Sequence, residues 1–283
     1  MTAVGAIGFV GLGQIGAPMA GRLVGWPGGL HVFDVRPEAM AALVEQGAVG
    51  AASVAELGRT CDVVSVMVLD DAQVRAVVGD LLTTARPGTV IAVHSTIRAE
   101  TAEELAATGS RHRVDVLDVP VSGGFVGAHA GTLAAMVGGD REAYERARPV
   151  FSGWAGLSVH MGPAGAGTRA KLARNLMHFI AYTGAGEAQR LAEAAGLDLR
   201  KLARVVRHSD TVTGGPGAIM LRDTTAPMTP DDEWHDVLDH TRALGEKDLA
   251  LALELADALG VDLPLGRLAL RDFGSGLGLP PQA

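Results

Sequence analysis

A short apolar run, Ala6–Val10, leads directly into Gly11-x-Gly13-x-x-Gly16 and then into a helical pattern, Ala17–Val24. No other stretch restricts the fold so tightly. In a strand–turn–helix of this kind the first glycine permits the sharp turn and the second lets a diphosphate approach the backbone. The third lets the helix pack closely on the strand. The diphosphate then rests on unpaired N–H groups at the helix start. The spacing alone is weak evidence in a chain with 38 glycines, so the setting matters. A second apolar run, Leu30–Asp34, ends on a carboxylate where the ribose hydroxyls of an adenosine are expected. Gly11, Leu12, Gly13, Gln14, Ile15, Gly16 and Asp34 are therefore the expected cofactor-binding residues. A carboxylate at Asp34 accepts from a free 2′-hydroxyl and repels a 2′-phosphate, which favours NAD. Arg36 leaves NADP open, because its guanidinium could receive that phosphate or stack on adenine.

The rest of the first half continues the alternation. Val63–Val68 and Thr89–Val93 read as buried parallel strands, and Pro37–Gln46, Asp71–Leu81 and Thr96–Ala107 as helices, the last with Thr96 as its cap. Further apolar runs at Val114–Val119, Leu133–Val137 and Leu157–His160 extend the same sheet. Such an order predicts an α/β, doubly wound Rossmann-type sheet with right-handed crossovers. After Pro163 the strands stop. Thr168–Ala195 reads as one long helix ended by Gly196, and Leu199–Val206, Pro230–Leu259 and Leu265–Phe273 follow as helices. Thr229, Pro230 and Asp232 look like a helix start, and Gly245 like a break. The expected division is residues 1–163 for dinucleotide binding and 164–283 for an all-helical domain. The tail, 279–283, is expected to fray.

Composition excludes several functions. Hydrophobic residues make up 48 % and charged residues 20 % of the 283, enough for a sizeable core. The formal net charge is −8 and no run of Lys or Arg occurs, so nucleic-acid binding is not expected. The one cysteine, Cys61, stands at the head of a buried strand and reads as a packed structural thiol. Residues 1–21 are uncharged, but they lack a basic leader and contain six glycines, so a turn explains them better than a membrane segment. A cytoplasmic protein is expected.

Two more stretches carry chemistry. Ser122-Gly123-Gly124, within Asp118-Val-Pro-Val-Ser-Gly-Gly, offers a hydroxyl and closely spaced N–H groups for a carboxylate, although an ordinary turn would look the same. Gly165-x-Gly167-x-x-x-Lys171-x-x-x-Asn175 places Lys171 and Asn175 on one helix face, with His178 near it. Lysines on helices are usually solvated. One desolvated among Ala170, Leu172 and Ala173 would instead have a lowered pKa suited to proton transfer.

Taken in order, the glycine turn, the Asp118–Gly124 stretch, Gly131-Thr-Leu…Met136-Val-Gly-Gly139, Lys171/Asn175 and Lys247-Asp-Leu resemble the β-hydroxyacid dehydrogenases, most of all the 3-hydroxyisobutyrate dehydrogenases, across nearly the whole chain. The resemblance implies an NAD(P)-dependent 3-hydroxyacid dehydrogenase acting on a small carboxylate substrate. Lys171 would be its general acid/base, and Asn175 would orient the hydroxyl. Ser122, Gly123 and Gly124 would hold the substrate carboxylate. Met67, Val68, Leu69 and Thr96 would touch the cofactor, and Lys247 would close over its nicotinamide end. A homodimer or homotetramer built through residues 164–283 is implied as well. Two alternatives stand beside this reading, an imine reductase on the same scaffold and a dinucleotide-binding regulator without catalysis.

The chain departs from that family at two places. Arg174 stands where members commonly carry a second asparagine, and Thr224–Thr241, with Trp234, His235 and His240, replaces a short loop. Both leave the substrate undefined. The histidines and acids of 231–240 are spaced poorly for metal ligation on one helix, and no metal is expected.

Overall fold

In the computed structural model, residues 4–280 are described, apart from 220, 223 and 225 and the side chains of 251 and 255. The end of the tail, 281–283, and Thr225 of the unusual 224–241 segment thus lie outside the described residues. The chain divides into two compact units between Arg174 and Asn175.

The first unit begins β1 (Ile7–Val10), α1 (Gly16–Gly21), β2 (Leu30–Phe33), α2 (Glu38–Glu45), β3 (Val49–Gly50), α3 (Val54–Thr60) and β4 (Val63–Val66). It continues with α4 (Asp71–Leu82), β5 (Val90–Val93), α5 (Ala99–Arg111), β6 (Asp115–Asp118), β7 (Val121–Ser122), α6 (Gly124–Ala130), β8 (Leu133–Gly138), α7 (Arg141–Phe151) and β9 (Ala155–Gly162). Among the described residues the nine strands form one sheet, and β3-β2-β1-β4-β5-β6 run parallel. β8 then pairs antiparallel with β6 and β7, and β9 runs parallel to β8. The β-branched runs Val63-Val64-Ser65-Val66 and Val90-Ile91-Ala92-Val93 are buried along their whole length. That is the pattern of central strands covered on both faces. One apolar cluster, with Phe9, Met19, Leu117, Phe151 and Trp154, lies on one face of the sheet. A second, with Leu57, Val64, Val78, Ile91 and Leu105, lies on the other. Cys61 sits in the second cluster, fully buried, and burial pushes its thiol up to about 11.

Local capping fixes several helix starts. Ser53, Asp70 and Asp140 each accept an N–H three residues on, at the heads of α3, α4 and α7. At α5 the expected cap is overturned. Thr96 is exposed and three residues short of the helix, which starts after Arg98. The work is done from a distance, as the Asp71 carboxylate accepts the N–H of Arg98 and the hydroxyl of Thr101.

α8 (Ala166–Ala194) starts in the first unit and ends in the second, where Gly196 takes the left-handed conformation, φ +73°. The second unit adds α9 (Leu199–Thr213), a short 3₁₀ turn at Gly215–Ile219, α10 (His235–Leu259) and α11 (Pro264–Gly276). Two expectations fail here. Pro230 does not open a helix, because the Asp232 carboxylate accepts the N–H of Trp234 and holds 230–234 in turns, so α10 begins at His235. Gly245 does not break α10. A Cβ there would run into the ring of Phe273, so the glycine is what lets α11 lie close to α10.

Candidate functional site

The strand order places β1 beside β4, with the chain leaving β1 toward β2 on one side and returning to β4 on the other. A crevice opens at the C-terminal ends of strands where the winding reverses in this way, and ligands bind there in open α/β sheets. Gly11 follows β1 and Met67 follows β4, so both edge that crevice. Gly11 has φ +89°, and a Cβ on it would strike the Met67 carbonyl. A Cβ on Gly16 would strike the carbonyl of Gly11, so these two glycines are demanded by backbone packing. Gly13 differs: a Cβ there would meet nothing within 4 Å. The N–H groups of Gly13, Gln14 and Ile15 find no hydrogen-bond partner among the described residues. The turn is thus tight where the protein needs it and open where a diphosphate would lie.

Asp34, at the end of β2, is buried and holds this turn in place. Its Oδ2 accepts the N–H of Leu12 at 2.8 Å, and its Oδ1 accepts the backbone N–H of Arg36 at 2.9 Å and the Arg36 Nε–H at 3.2 Å. Burial alone would raise the Asp34 carboxyl, but these donors together hold it below the ordinary carboxylate range. The expected cofactor carboxylate is therefore ionised and already braced by protein donors.

Across the crevice, Ser95 at the end of β5 donates to the Val68 carbonyl at 2.7 Å and accepts the Val68 N–H at 3.0 Å. Sequence reasoning named Met67, Val68 and Thr96 but missed Ser95, the residue that fixes the turn after β4. Leu69 and Thr96 are exposed beside it. Beneath lies His94, fully buried against Phe9 and Trp154. Its Nδ1–H donates to the Val119 carbonyl at 3.0 Å, so Nε2 accepts from Ser65 Oγ at 3.0 Å. Burial lowers its pKa to about 4 and leaves the ring neutral.

Lys171 stands on the second turn of α8 with 8 % of its surface exposed. Burial lowers its ammonium below the ordinary lysine value, and the Arg174 guanidinium lowers it further. No carboxylate pairs with it among the described residues. The cation that acts on Lys171 is thus Arg174, three residues on along α8. Lys247 itself is exposed on α10, 3.2 Å from Asp248. Asn175 lies one turn beyond Lys171 on α8 and belongs to the second unit. Ser122 ends β7 half-buried, and Gly123 and Gly124 lie exposed with φ +129° and +59°. A Cβ on Gly124 would meet nothing within 4 Å, so the N–H groups there are sterically open. Among the described residues no group of three or more His, Cys, Asp or Glu could hold a metal ion. No described helix is long and apolar enough to cross a membrane.

Comparison with known proteins agrees with this geometry. Residues 6–162 match the family model of the NAD-binding domain of 6-phosphogluconate dehydrogenase. Residues 165–275 match that described as NAD-binding of NADP-dependent 3-hydroxyisobutyrate dehydrogenase. A 3-hydroxyisobutyrate dehydrogenase of Pseudomonas aeruginosa is 37 % identical over 273 residues, 94 % of this chain and 90 % of that one. The chain belongs to the 3-hydroxyisobutyrate dehydrogenase-like family. An NAD-dependent L-serine dehydrogenase of the same organism is also 37 % identical, over 278 residues, 93 % of this chain and 89 % of that one. The crystal structure of a Mycobacterium avium 104 protein named for the oxidoreductase class superposes with a TM-score of 0.94 at 55 % identity, covering 97 % and 99 % of the two chains. As a member of this family the chain is an NAD(P)-binding oxidoreductase. Its open glycine turn fits the dinucleotide that the two matched domain models describe.

Proposed function

We propose that this chain interconverts a small 3-hydroxy acid and its semialdehyde with NAD, and that Lys171 is the general acid/base. The buried ammonium of Lys171, beside a second cation and without an acid partner, carries the reading. A base must be neutral to take a proton, and both influences on Lys171 favour its neutral amine. In oxidation Lys171 Nζ takes the hydroxyl proton and later passes it to solvent; in reduction it returns it. Nicotinamide, when bound, supplies the hydride chemistry at the carbinol carbon. Ser122 and the N–H groups of Gly123 and Gly124, the second with open space around it, are suited to holding the substrate carboxylate. Gly11–Gly16, Asp34, Met67, Val68, Leu69 and Thr96 would line the cofactor. Asn175 and Lys247 join this assignment on the family resemblance alone.

The two Pseudomonas relatives support a substrate class. 3-Hydroxyisobutyrate and L-serine, the substrates in their names, share a primary alcohol one carbon removed from the α-carbon of a carboxylate. That unit matches one proton acceptor and one carboxylate receptor. NAD is preferred because the ionised Asp34 repels a 2′-phosphate and draws Arg36 onto itself at 3.2 Å. A homodimer or homotetramer is supported by the apolar side chains that the helices leave exposed, among them Leu176, Phe179 and Ile180 on α8 and Val205 and Val212 on α9. Light scattering showing only a monomer would remove that part of the proposal.

The deciding experiment follows nicotinamide absorbance across short 3-hydroxy acids and semialdehydes with both cofactors. Turnover of at least one, lowered at least about a hundredfold in Lys171→Ala while NADH binding persists, is the expected result. If no member of the panel reacts faster with the wild type than with Lys171→Ala, the catalytic assignment falls.

A further inference from the structure

Three separate stretches of sequence meet at one buried carboxylate. Asp118, the last residue of β6, is 3 % exposed and opposes Gly138 of β8 in the sheet. Its Oδ1 accepts the N–H of Gly165 at 2.8 Å, and its Oδ2 accepts the N–H of Thr168 at 2.7 Å. These are donors at the head of α8, 47 and 50 residues away in sequence. Two glycines make the approach possible. A Cβ on Gly138 would strike the Asp118 carboxylate, and one on Gly167 would strike the carbonyls of Met136 and Asp118. From Asp118 the chain passes through Val119 and Pro120 into β7, which ends at Ser122, while α8 runs on from Thr168 to Lys171, just under one turn later.

We propose that Asp118 is a positioning residue: it sets the carboxylate-receiving loop Ser122–Gly124 and the proton-transferring Lys171 in register with each other by clamping the first turn of α8. The proposal rests on the reading of Lys171 given above. A buried carboxylate bound to two N–H groups is a rigid two-point joint, because rotating either partner leaves a buried donor or acceptor unsatisfied. Burial outweighs the two donors and raises the Asp118 carboxyl. The clamp is therefore held against an unfavourable environment, which a merely local cap on an exposed helix would not need. Among the described residues no cation forms an ion pair with it: Arg169, which feels its charge, pairs with Glu103 at 2.6 Å.

The chain has only three lysines, Lys171, Lys201 and Lys247, so ¹³Cε-lysine NMR resolves each without turnover. Asp118→Asn keeps the size of the side chain but turns one acceptor into a donor that faces an N–H. In this variant the Lys171 signal and its titration midpoint are expected to move toward those of an ordinary lysine, with Lys201 and Lys247 unchanged. kcat should fall by about tenfold to a hundredfold, the scale of an ångström-sized misplacement, with the NADH dissociation constant within twofold of wild type. Gly138→Ala, which keeps the carboxylate but presses it off its donors, should give the same signature. In the wild-type protein the amides of Gly165 and Thr168 should be among the slowest of α8 to exchange with deuterium. An unmoved Lys171 signal in Asp118→Asn, or fast exchange at both amides, overturns the proposal. Lys171→Ala that retains full turnover would instead sink the catalytic reading, and the NMR and exchange results would still judge the clamp.

Discussion

Each unit anchors a helix with a buried acid reached from far along the chain, yet the two do so in different surroundings. In the first, Asp118 on a central sheet strand clamps the head of α8. In the second, Glu187 on α8 accepts the N–H groups of Leu265 and Gly266, both at 2.8 Å, and so anchors α11. The first unit surrounds its joint with two apolar clusters on either side of a sheet. Among the described residues the second has small clusters, around Met228 and Leu238 and around Leu253 and Ala256, and α9 buries no residue at all. An amphipathic helix gains most of its stability from packing its apolar face. The difference teaches that the first unit holds its own shape, while the second relies on joints such as Glu187 and on whatever covers its exposed apolar side chains.

The largest test of this contrast is chemical. If the first unit carries the reaction, Lys171→Ala should lower kcat by about 10²- to 10⁴-fold, as loss of a general acid/base does, and should leave NADH titration by fluorescence unchanged. Acid comes next. The unfolded chain protonates His94 near 6.5 and the folded one only near 4. Between those values the unfolded state binds more protons, so stability is complete above the window and is lost as pH falls through it. The full effect is on the order of 3 kcal/mol, and urea unfolding at pH 7 and pH 4.5 followed by far-UV circular dichroism should show most of it. His94→Asn should flatten the dependence; if the slope persists in that variant, the buried ring is not its source.

A matched pair of glycine variants separates the units. Gly16→Ala drives a Cβ into the Gly11 carbonyl and should cost the first unit about 3 kcal/mol, the upper end of overpacking. Gly245→Ala drives one into Phe273 and should cost the second about 2 kcal/mol, since a ring can tilt where a backbone cannot. Residue-level hydrogen exchange would show whether each loss stays within its own unit. Gly13→Ala meets nothing, so it should leave melting unchanged and weaken only dinucleotide binding. The smallest effect concerns Arg36, an exposed side chain whose ion pair with Asp34 is worth little by itself. Arg36→Ala should change the NAD/NADP ratio of kcat/KM by less than about tenfold, and Asp34→Asn by more.

The first unit was largely legible in the sequence because its signals are local. Val63–Val66 and Val90–Val93 cannot be anything but buried strands, and Gly11-x-Gly13-x-x-Gly16 needs only its two neighbours to be understood. What escaped was set by distant partners. Thr96 resembles a cap, but α5 takes its cap from Asp71. Thr229-Pro230 resembles a helix start, but Asp232 diverts the chain into a turn. Helices α3, α6 and α7 were not anticipated; the first two are only seven residues long, and α7 carries Pro149. In the site, Lys171 and Ser122 stood out by motif. Asp118 opens the Asp-Val-Pro-Val-Ser-Gly-Gly stretch, yet its partners at Gly165 and Thr168 are invisible until the sheet and α8 are brought together.

Cys61 gives the first unit a built-in clock. With its thiol pushed to about 11, about one molecule in ten thousand carries the reactive thiolate at pH 7, and burial hides even that from solvent. A maleimide can then couple to the folded protein only at moments when α3 and β4 part. Because the chain has no other cysteine, a single mass increment marks each molecule caught in such an opening. The rate at which that increment accumulates would time the breathing of the dinucleotide half in intact protein, without mutation or added dye.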